Sequence, residues 1–159
     1  MTENSSKTVV SSWNEWDPLK HVIVGRADDT QIQAPEPAVQ LDFPDLGYPL
    51  GTFGPLPEEM EENACELLDN FAAILENRGI RVDRPAPLDF SQAIQTPDWQ
   101  QGSMFGCMPP RDVLLTVGHE ILEAPMSFRS RWFEYELPGD RYQDHLHRSR
   151  RNAHDGIAG

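Results

Sequence analysis

The chain has 159 residues, enough for one domain, and its 26 acidic against 13 basic residues give a formal net charge of −13. This charge argues against nucleic acid or an anionic membrane as a partner, because phosphate contacts need clustered cations. No apolar run approaches the roughly 20 residues that cross a bilayer, and the first residues lack the apolar stretch of a secretory signal. We therefore expect a cytoplasmic protein, a compartment that also suits two cysteines without a disulfide framework.

The first half of the chain predicts a strand, a long irregular segment and a helix. Residues 1–12 are polar and expected to be flexible, and a turn follows at Trp13–Pro18 because Asp-Pro disfavours helix. His21–Gly25 is a short β-branched run typical of a buried strand. Residues 27–57 are rich in proline and show no periodic spacing of apolar residues. This predicts an irregular segment that forms a lid or packs against the domain, without regular secondary structure.

A helix is predicted from Pro57 to Arg78, followed by a second strand at 80–82. Glutamates in its first turn face the positive end of the helix dipole, and Gly79 suits the position after its C-terminus. Its apolar residues recur at spacings of three and four along one face: Met60, Ala64, Leu67, Leu68, Phe71, Ile74 and Leu75. Residues 85–111 again read as loop, and 112–124 predict a hairpin that turns at Gly118-His119.

Most residue types capable of chemistry have a simpler structural interpretation. His119 fits an exposed turn residue, and His145 and His147 form only a weak H-x-H metal motif, so no metal site is predicted. Cys65 lies beside the apolar helix face and is expected to be a structural thiol. Cys107 lies in a glycine-containing loop, but the sequence shows no adjacent base to activate it.

Asp112 is the candidate that the local sequence favours most. It follows Pro109-Pro110-Arg111 and opens an apolar strand, so a rigid turn could aim its carboxylate into a cleft, where it would suit a guanidinium. On the residues alone, a solvated carboxylate at the end of a strand is the favoured interpretation, and a guanidinium ligand is the alternative. Arg129 and Arg131 could bind a carboxylate, or could form ion pairs with Glu134 and Glu136. These residues alone give a mixed αβ unit without a complete catalytic set.

Three segments together resemble the N-terminal part of glycine amidinotransferase and of its relative, inosamine-phosphate amidinotransferase. They are residues 11–26 (SSWNEWDPLKHVIVGR), 96–99 (TPDW) and 108–135 (MPPRDVLLTVGHEILEAPMSFRSRWFEY), and residues 84–89 also fit. The resemblance covers roughly residues 9–136. It implies an α+β chain forming part of a pentein-type α/β propeller, with about one to one-and-a-half of five blades in residues 13–136.

The resemblance also implies transfer of the amidino group of L-arginine to an amine acceptor, glycine or an amino-cyclitol phosphate, through a Cys-bound intermediate and without a cofactor. Asp112 matches the family's ligand of the substrate guanidinium. The family's nucleophilic Cys, its His-x-Asp pair and its second acid have no match here, since none of the five histidines has Asp two positions later. We therefore expect no catalytic residue in this chain and no activity from it alone.

The end of the chain departs from the family. Leu137–Asp140 interrupts the resemblance, and the tail, residues 137–159, is rich in Arg and His, so we expect it to be disordered and to reflect a frameshift or truncation. An incomplete propeller leaves apolar surface uncovered, which predicts marginal stability and self-association. Two alternatives remain: a non-catalytic arginine- or partner-binding module, and an enzyme that a second polypeptide completes.

Overall fold

The structure of the protein, a computed structural model, describes residues 10–34, 36–42 and 53–134. These ranges contain eight short strands, two α-helices and two 3₁₀ turns. The strands are β1 (His21–Ile23), β2 (Gln31–Ile32), β3 (Gly54–Pro55), β4 (Arg81–Asp83), β5 (Ile94–Gln95), β6 (Gln100–Gln101), β7 (Leu114–Val117) and β8 (Glu120–Glu123). The helices are α1 (Pro37–Asp42) and α2 (Glu58–Glu76), and the 3₁₀ turns are Pro110–Asp112 and Arg129–Arg131.

A β-α-β unit confirms the predicted order of strand, helix and strand. β1 and β4 pair in parallel, with Val22 opposite Val82, and α2 lies in the connection between them. The helix ends as predicted, because Gly79 has a φ of 77° and its N–H donates to the carbonyl oxygen of Glu76 at 2.8 Å. The mixed αβ character expected from the sequence is therefore present in the described residues.

The hairpin and the first turn are also where the sequence predicts them. β7 and β8 pair antiparallel, and Gly118 has a φ of 58° in the turn, next to the ring of Trp13. The turn at residues 13–18 is closed by the side chain of Asn14, which accepts hydrogen bonds from the N–H groups of Trp16 and Asp17. A bridge between Ser12 and Gly118 ties the start of the described chain to the hairpin.

The expectation that residues 27–57 and 85–111 lack regular structure is wrong. β2 pairs with β3, β5 pairs with β6, and α1 lies between β2 and β3. Each of these strands has only two residues, which is too short to leave an alternating pattern in the sequence. Their pairing depends on contacts between segments that no local window contains.

Gly25 lets the loop before the first 3₁₀ turn lie close to the end of β1. A Cβ atom at this position would overlap the backbone carbonyl oxygens of Cys107 and Met108. Arg26 pairs with Cys107 across the same contact, and its N–H donates to the carbonyl oxygen of Cys107 at 3.3 Å. The backbone leading to Asp112 is therefore packed directly against the first strand.

Much of the apolar surface stays uncovered. On α2, Leu67 is 62% exposed and Phe71 is 51% exposed, and Ala72 is the one buried residue of this helix. The hairpin likewise exposes Leu115 and Leu122, which are paired across its two strands. The sequence predicted uncovered apolar surface of this kind; the marginal stability and self-association expected with it stay predictions. Within the described ranges, no helix is long and apolar enough to cross a membrane.

Candidate functional site

Asp112 is presented by a short turn whose next residue is buried. It is the last residue of the Pro110–Asp112 turn, and its N–H donates to the carbonyl oxygen of Pro109 at 3.0 Å. Val113 is 2% exposed, whereas the Asp112 side chain is 35% exposed. The buried valine anchors the backbone, so the carboxylate remains accessible at the end of a fixed turn.

Arg131 lies behind Asp112 and links it to a second carboxylate. Its Nε and Nη2 donate to Glu134 at distances of 2.7 to 3.0 Å, and Nη2 also donates to Oδ2 of Asp112 at 3.2 Å. The guanidinium carbon lies 5.4 Å from the centre of the Phe105 ring. Of the two roles left open for the Arg129 and Arg131 pair, Arg131 takes that of an ion-pair partner.

Burial and charge act on this ion pair in opposite directions. Burial raises the pKa of Glu134, and the charge of Asp112 adds to the increase, while Arg131 opposes it. Burial acts to lower the pKa of Arg131, but its hydrogen bonds to Glu134 and Asp112 outweigh burial and leave that pKa raised. Arg131 therefore stays protonated, and the three groups carry one net negative charge once both carboxylates are ionised.

Backbone and carboxylate contacts hold the turn that carries Arg131. Both carboxylate oxygens of Glu36, which is 4% exposed, accept the N–H of Arg129 at 3.0 Å. The carbonyl oxygen of Ser130 accepts the N–H of Phe105 at 3.0 Å, and the carbonyl oxygen of Phe105 accepts the N–H of Gln31 at 2.8 Å. The Arg129–Arg131 turn is thus fixed to β2 and to the residue before α1. Arg129 itself stacks near Trp99, at 5.7 Å from the ring centre.

The two cysteines have structural environments. Cys107 is buried, its thiol lies 3.7 Å from the carbonyl oxygen of Arg26, and burial raises its pKa. Burial also raises the pKa of Cys65 on α2, where the thiol is partly exposed. A raised pKa keeps a thiol protonated, so neither position favours the thiolate that a nucleophile requires.

The histidines supply no metal cluster among the described residues. His119 packs edge-on against Trp13, with ring centres 5.1 Å apart, and its Nδ1 lies 3.1 Å from the carbonyl oxygen of Val10. His145 and His147 lie outside the described residues. Over residues 10–34, 36–42 and 53–134, no three His, Cys, Asp or Glu side chains are grouped to hold a metal ion.

Sequence reasoning missed two parts of this site. It paired Arg131 only with nearby glutamates and not with Asp112, which lies 19 positions earlier, and it did not consider Glu36, 93 positions before Arg129. Neither contact has a local signal. Glu136, the other acid considered as a partner of the arginines, lies outside the described residues.

Comparison with known proteins identifies relatives over most of this chain. The mitochondrial glycine amidinotransferase of Danio rerio is 36% identical over 145 residues, 89% of this chain and 34% of the relative. The L-arginine:L-lysine amidinotransferase of Pseudomonas savastanoi pv. phaseolicola is 39% identical over 128 residues, 79% of this chain and 35% of the relative. No family model matches the chain.

A solved structure shares the fold. The inosamine-phosphate amidinotransferase of Streptomyces griseus superposes with a TM-score of 0.75 at 34% identity, over 88% of this chain and 41% of that one. The fold is therefore consistent with part of a pentein. The chain spans about a third of the length of the curated relatives it matches.

Proposed function

Because this chain is homologous to the N-terminal part of amidinotransferases, we propose that it supplies one wall of an amidinotransferase substrate site. In this proposal Asp112 binds the guanidinium of L-arginine. One observation carries the assignment: the Asp112 carboxylate already accepts a hydrogen bond from a guanidinium, that of Arg131, and yet remains about one-third exposed. A carboxylate on a rigid turn has the geometry to pair with a planar guanidinium.

The reaction proposed for the complete enzyme has two steps. A Cys thiolate forms a bond to the guanidinium carbon of arginine, and the bond from that carbon to the side-chain Nε breaks, so that ornithine leaves with a proton on its amine. An acceptor amine then attacks the same carbon and loses a proton, and the carbon–sulfur bond breaks to restore the thiolate. Fixed carboxylates stabilise the cationic group throughout, while a His moves the protons.

We propose that this chain alone does not perform these steps. Asp112 supplies a binding contact, but the chain contains no His-x-Asp, and the environments of Cys65 and Cys107 favour the protonated thiol. A thiolate and a proton carrier would have to come from another part of the protein or from a second polypeptide. Release of ornithine from arginine by the purified 159-residue chain would contradict this inactivity.

The acceptor is proposed to be a primary amine. The relatives named above include enzymes whose names specify glycine, L-lysine and an inosamine phosphate. These acceptors share a primary amine and differ in the group that carries it. Glycine and an amino-cyclitol phosphate are therefore the two acceptors to assay first, with L-lysine as the third.

Sequencing the coding DNA from the codon for Tyr135 onward tests the proposal at the level of the gene. A reading frame that continues with family-like sequence, including His-x-Asp and a later Cys, would support an amidinotransferase. If no frame continues in this way and no second gene supplies the missing part, the binding-module alternative takes its place.

The alternative function is a non-catalytic module that binds arginine or a protein partner. The exposed carboxylate of Asp112 and the uncovered apolar face of α2 favour it. Calorimetry with arginine separates the two functions, because one carboxylate contact should give affinity too weak for that method. Submillimolar binding by the chain alone would favour the module.

A further inference from the structure

Arg131 is more deeply buried than its contact with the exposed Asp112 would require. It is 8% exposed and Glu134 is 4% exposed, whereas the Asp112 side chain is about one-third exposed. Burying an ion pair removes both charges from water, so such a pair is weak evidence for stability alone. The arrangement of its hydrogen bonds indicates an additional role.

The guanidinium of Arg131 is divided unequally between the two carboxylates. Glu134 accepts from Nε and Nη2 in a two-point contact, which fixes the plane of the guanidinium. The same Nη2 reaches Asp112 through a single bond of 3.2 Å to Oδ2. Glu134 therefore holds Arg131, and Arg131 in turn restrains one oxygen of Asp112.

This restraint leaves most of the Asp112 carboxylate able to accept another ligand. A carboxylate has about four lone-pair directions, and the Arg131 bond uses one of them. Among the described residues, no hydrogen bond is made to Oδ1 of Asp112. The remaining directions suffice for a two-point contact with a second guanidinium.

We propose that Arg131 is a positioning residue that orients Asp112 so that Oδ1 faces the guanidinium of the substrate, with Glu134 holding Arg131 in place. This inference rests on the proposed role of Asp112. The three side chains together carry one net negative charge, so Arg131 cancels one carboxylate and leaves one charge for the cationic substrate. A rival role, in which Arg131 occupies the substrate's own place, would require a two-point contact with Asp112 in place of the single bond.

The experiment measures how the Asp112 carboxyl carbon responds to arginine in the full 159-residue chain. The chain is labelled with ¹³C at its aspartate carboxyl groups, and L-arginine is added up to about 100 mM at constant ionic strength, a range suited to the weak affinity of a single charge pair. The initial slope of the Asp112 shift is compared between arginine and L-lysine. Lysine is a cation without the planar fork, so it controls for charge alone.

Arg131→Lys is the decisive variant, because lysine keeps the positive charge but replaces the planar two-nitrogen contact with Glu134 by a single ammonium, which does not fix the direction of the bond to Asp112. We expect the arginine slope at Asp112 to fall roughly fivefold, the effect of about 1 kcal/mol for one misplaced hydrogen bond. Arg26→Lys is the matched control, since Arg26 makes a similar two-point contact with Asp28. That control should leave the Asp112 slope unchanged.

The outcomes separate the two proposals. If wild type shows no arginine response at Asp112 beyond that to lysine, both the role of Asp112 and that of Arg131 are refuted. If wild type responds more steeply to arginine than to lysine and Arg131→Lys leaves that response unchanged or steeper, only the positioning role is refuted. If the amide spectrum shows that Arg131→Lys does not fold, Glu134→Gln replaces it in the experiment. This variant keeps Arg131 but weakens the contact that holds its guanidinium. An unchanged arginine slope at Asp112 in Glu134→Gln also refutes the positioning role of Arg131.

Discussion

Replacing Arg131 by methionine should strongly destabilise the fold at neutral pH. The change keeps an unbranched side chain of similar length but removes the only cation that the structure places against both Glu134 and Asp112 among the described residues. Removing one partner of a buried ion pair typically costs about 3–5 kcal/mol, because the other charge is left uncompensated. Asp112 is one-third exposed and can be hydrated, so the cost falls mainly on Glu134, which is 4% exposed.

The expected magnitude is about 3 kcal/mol, the lower end of that range. Glu134 can escape part of the cost by taking up a proton, since burial already raises its pKa in the intact protein. A typical domain has a free energy of unfolding of about 5–15 kcal/mol, and uncovered apolar surface reduces this value. A loss of about 3 kcal/mol can therefore unfold such a chain. The double variant Arg131→Met, Glu134→Leu removes both charges and should recover most of the stability.

Urea denaturation followed by tryptophan fluorescence measures these changes, with far-UV circular dichroism to test whether the transition is two-state. The decrease in the free energy of unfolding caused by Arg131→Met should become larger as pH rises from 5 to 8. A raised pKa means that the folded state favours protonated Glu134, and its stabilising contribution is lost as pH rises through that pKa. A loss below about 1 kcal/mol at pH 7.5 would refute the reasoning. So would a double variant that is no more stable than the single one.

Three further predictions concern other parts of the chain. Gly25→Ala should lower the free energy of unfolding by about 3 kcal/mol or more, because the new methyl group overlaps backbone carbonyl oxygens that cannot rotate away. Urea denaturation measures this loss. A variant that unfolds at the same urea concentration as wild type would contradict the close contact at Gly25. The hydrogen bonds from Arg26 lower the pKa of Asp28, so its stabilising contribution should be lost as pH falls below about 4, its ordinary range. Acid titration of wild type and Asp28→Asn should show a smaller acid-induced loss in the variant, and identical titrations would exclude the pair. The double variant Leu67→Glu, Phe71→Glu should self-associate less than wild type, because these apolar side chains are 62% and 51% exposed. Analytical ultracentrifugation measures the association. A wild-type chain that stays monomeric at high concentration would contradict the prediction.

The uncovered surface has a consequence for the stability of the chain. Apolar residues on α2 and on the β7–β8 hairpin are exposed in the same chain that matches only about a third of its relatives' length. An apolar face of this kind loses stabilisation that a neighbouring unit would supply by burial. The stability of the chain is thus expected to rise when another unit covers these apolar faces.

Local sequence determined the elements that a short window can encode. The spacing of apolar residues predicted α2, the β-branched run predicted β1, and Gly118 marked the turn of the hairpin. The prolines before Asp112 predicted the rigid turn that presents its carboxylate. These features depend on backbone preferences and side-chain periodicity over a few residues, which the order of amino acids contains directly.

Only the tertiary structure decided what surrounds that carboxylate. Arg131 reaches Asp112 across 19 positions, and Glu36 reaches the backbone of Arg129 across 93. The two-residue strands that pair across the irregular segments were likewise invisible in the sequence. Such contacts form because the chain closes loops and packs segments together, and their partners are set by shape and burial rather than by spacing along the chain. The sequence by itself determined that an acid stands at the end of a rigid turn; the fold placed a buried guanidinium behind it.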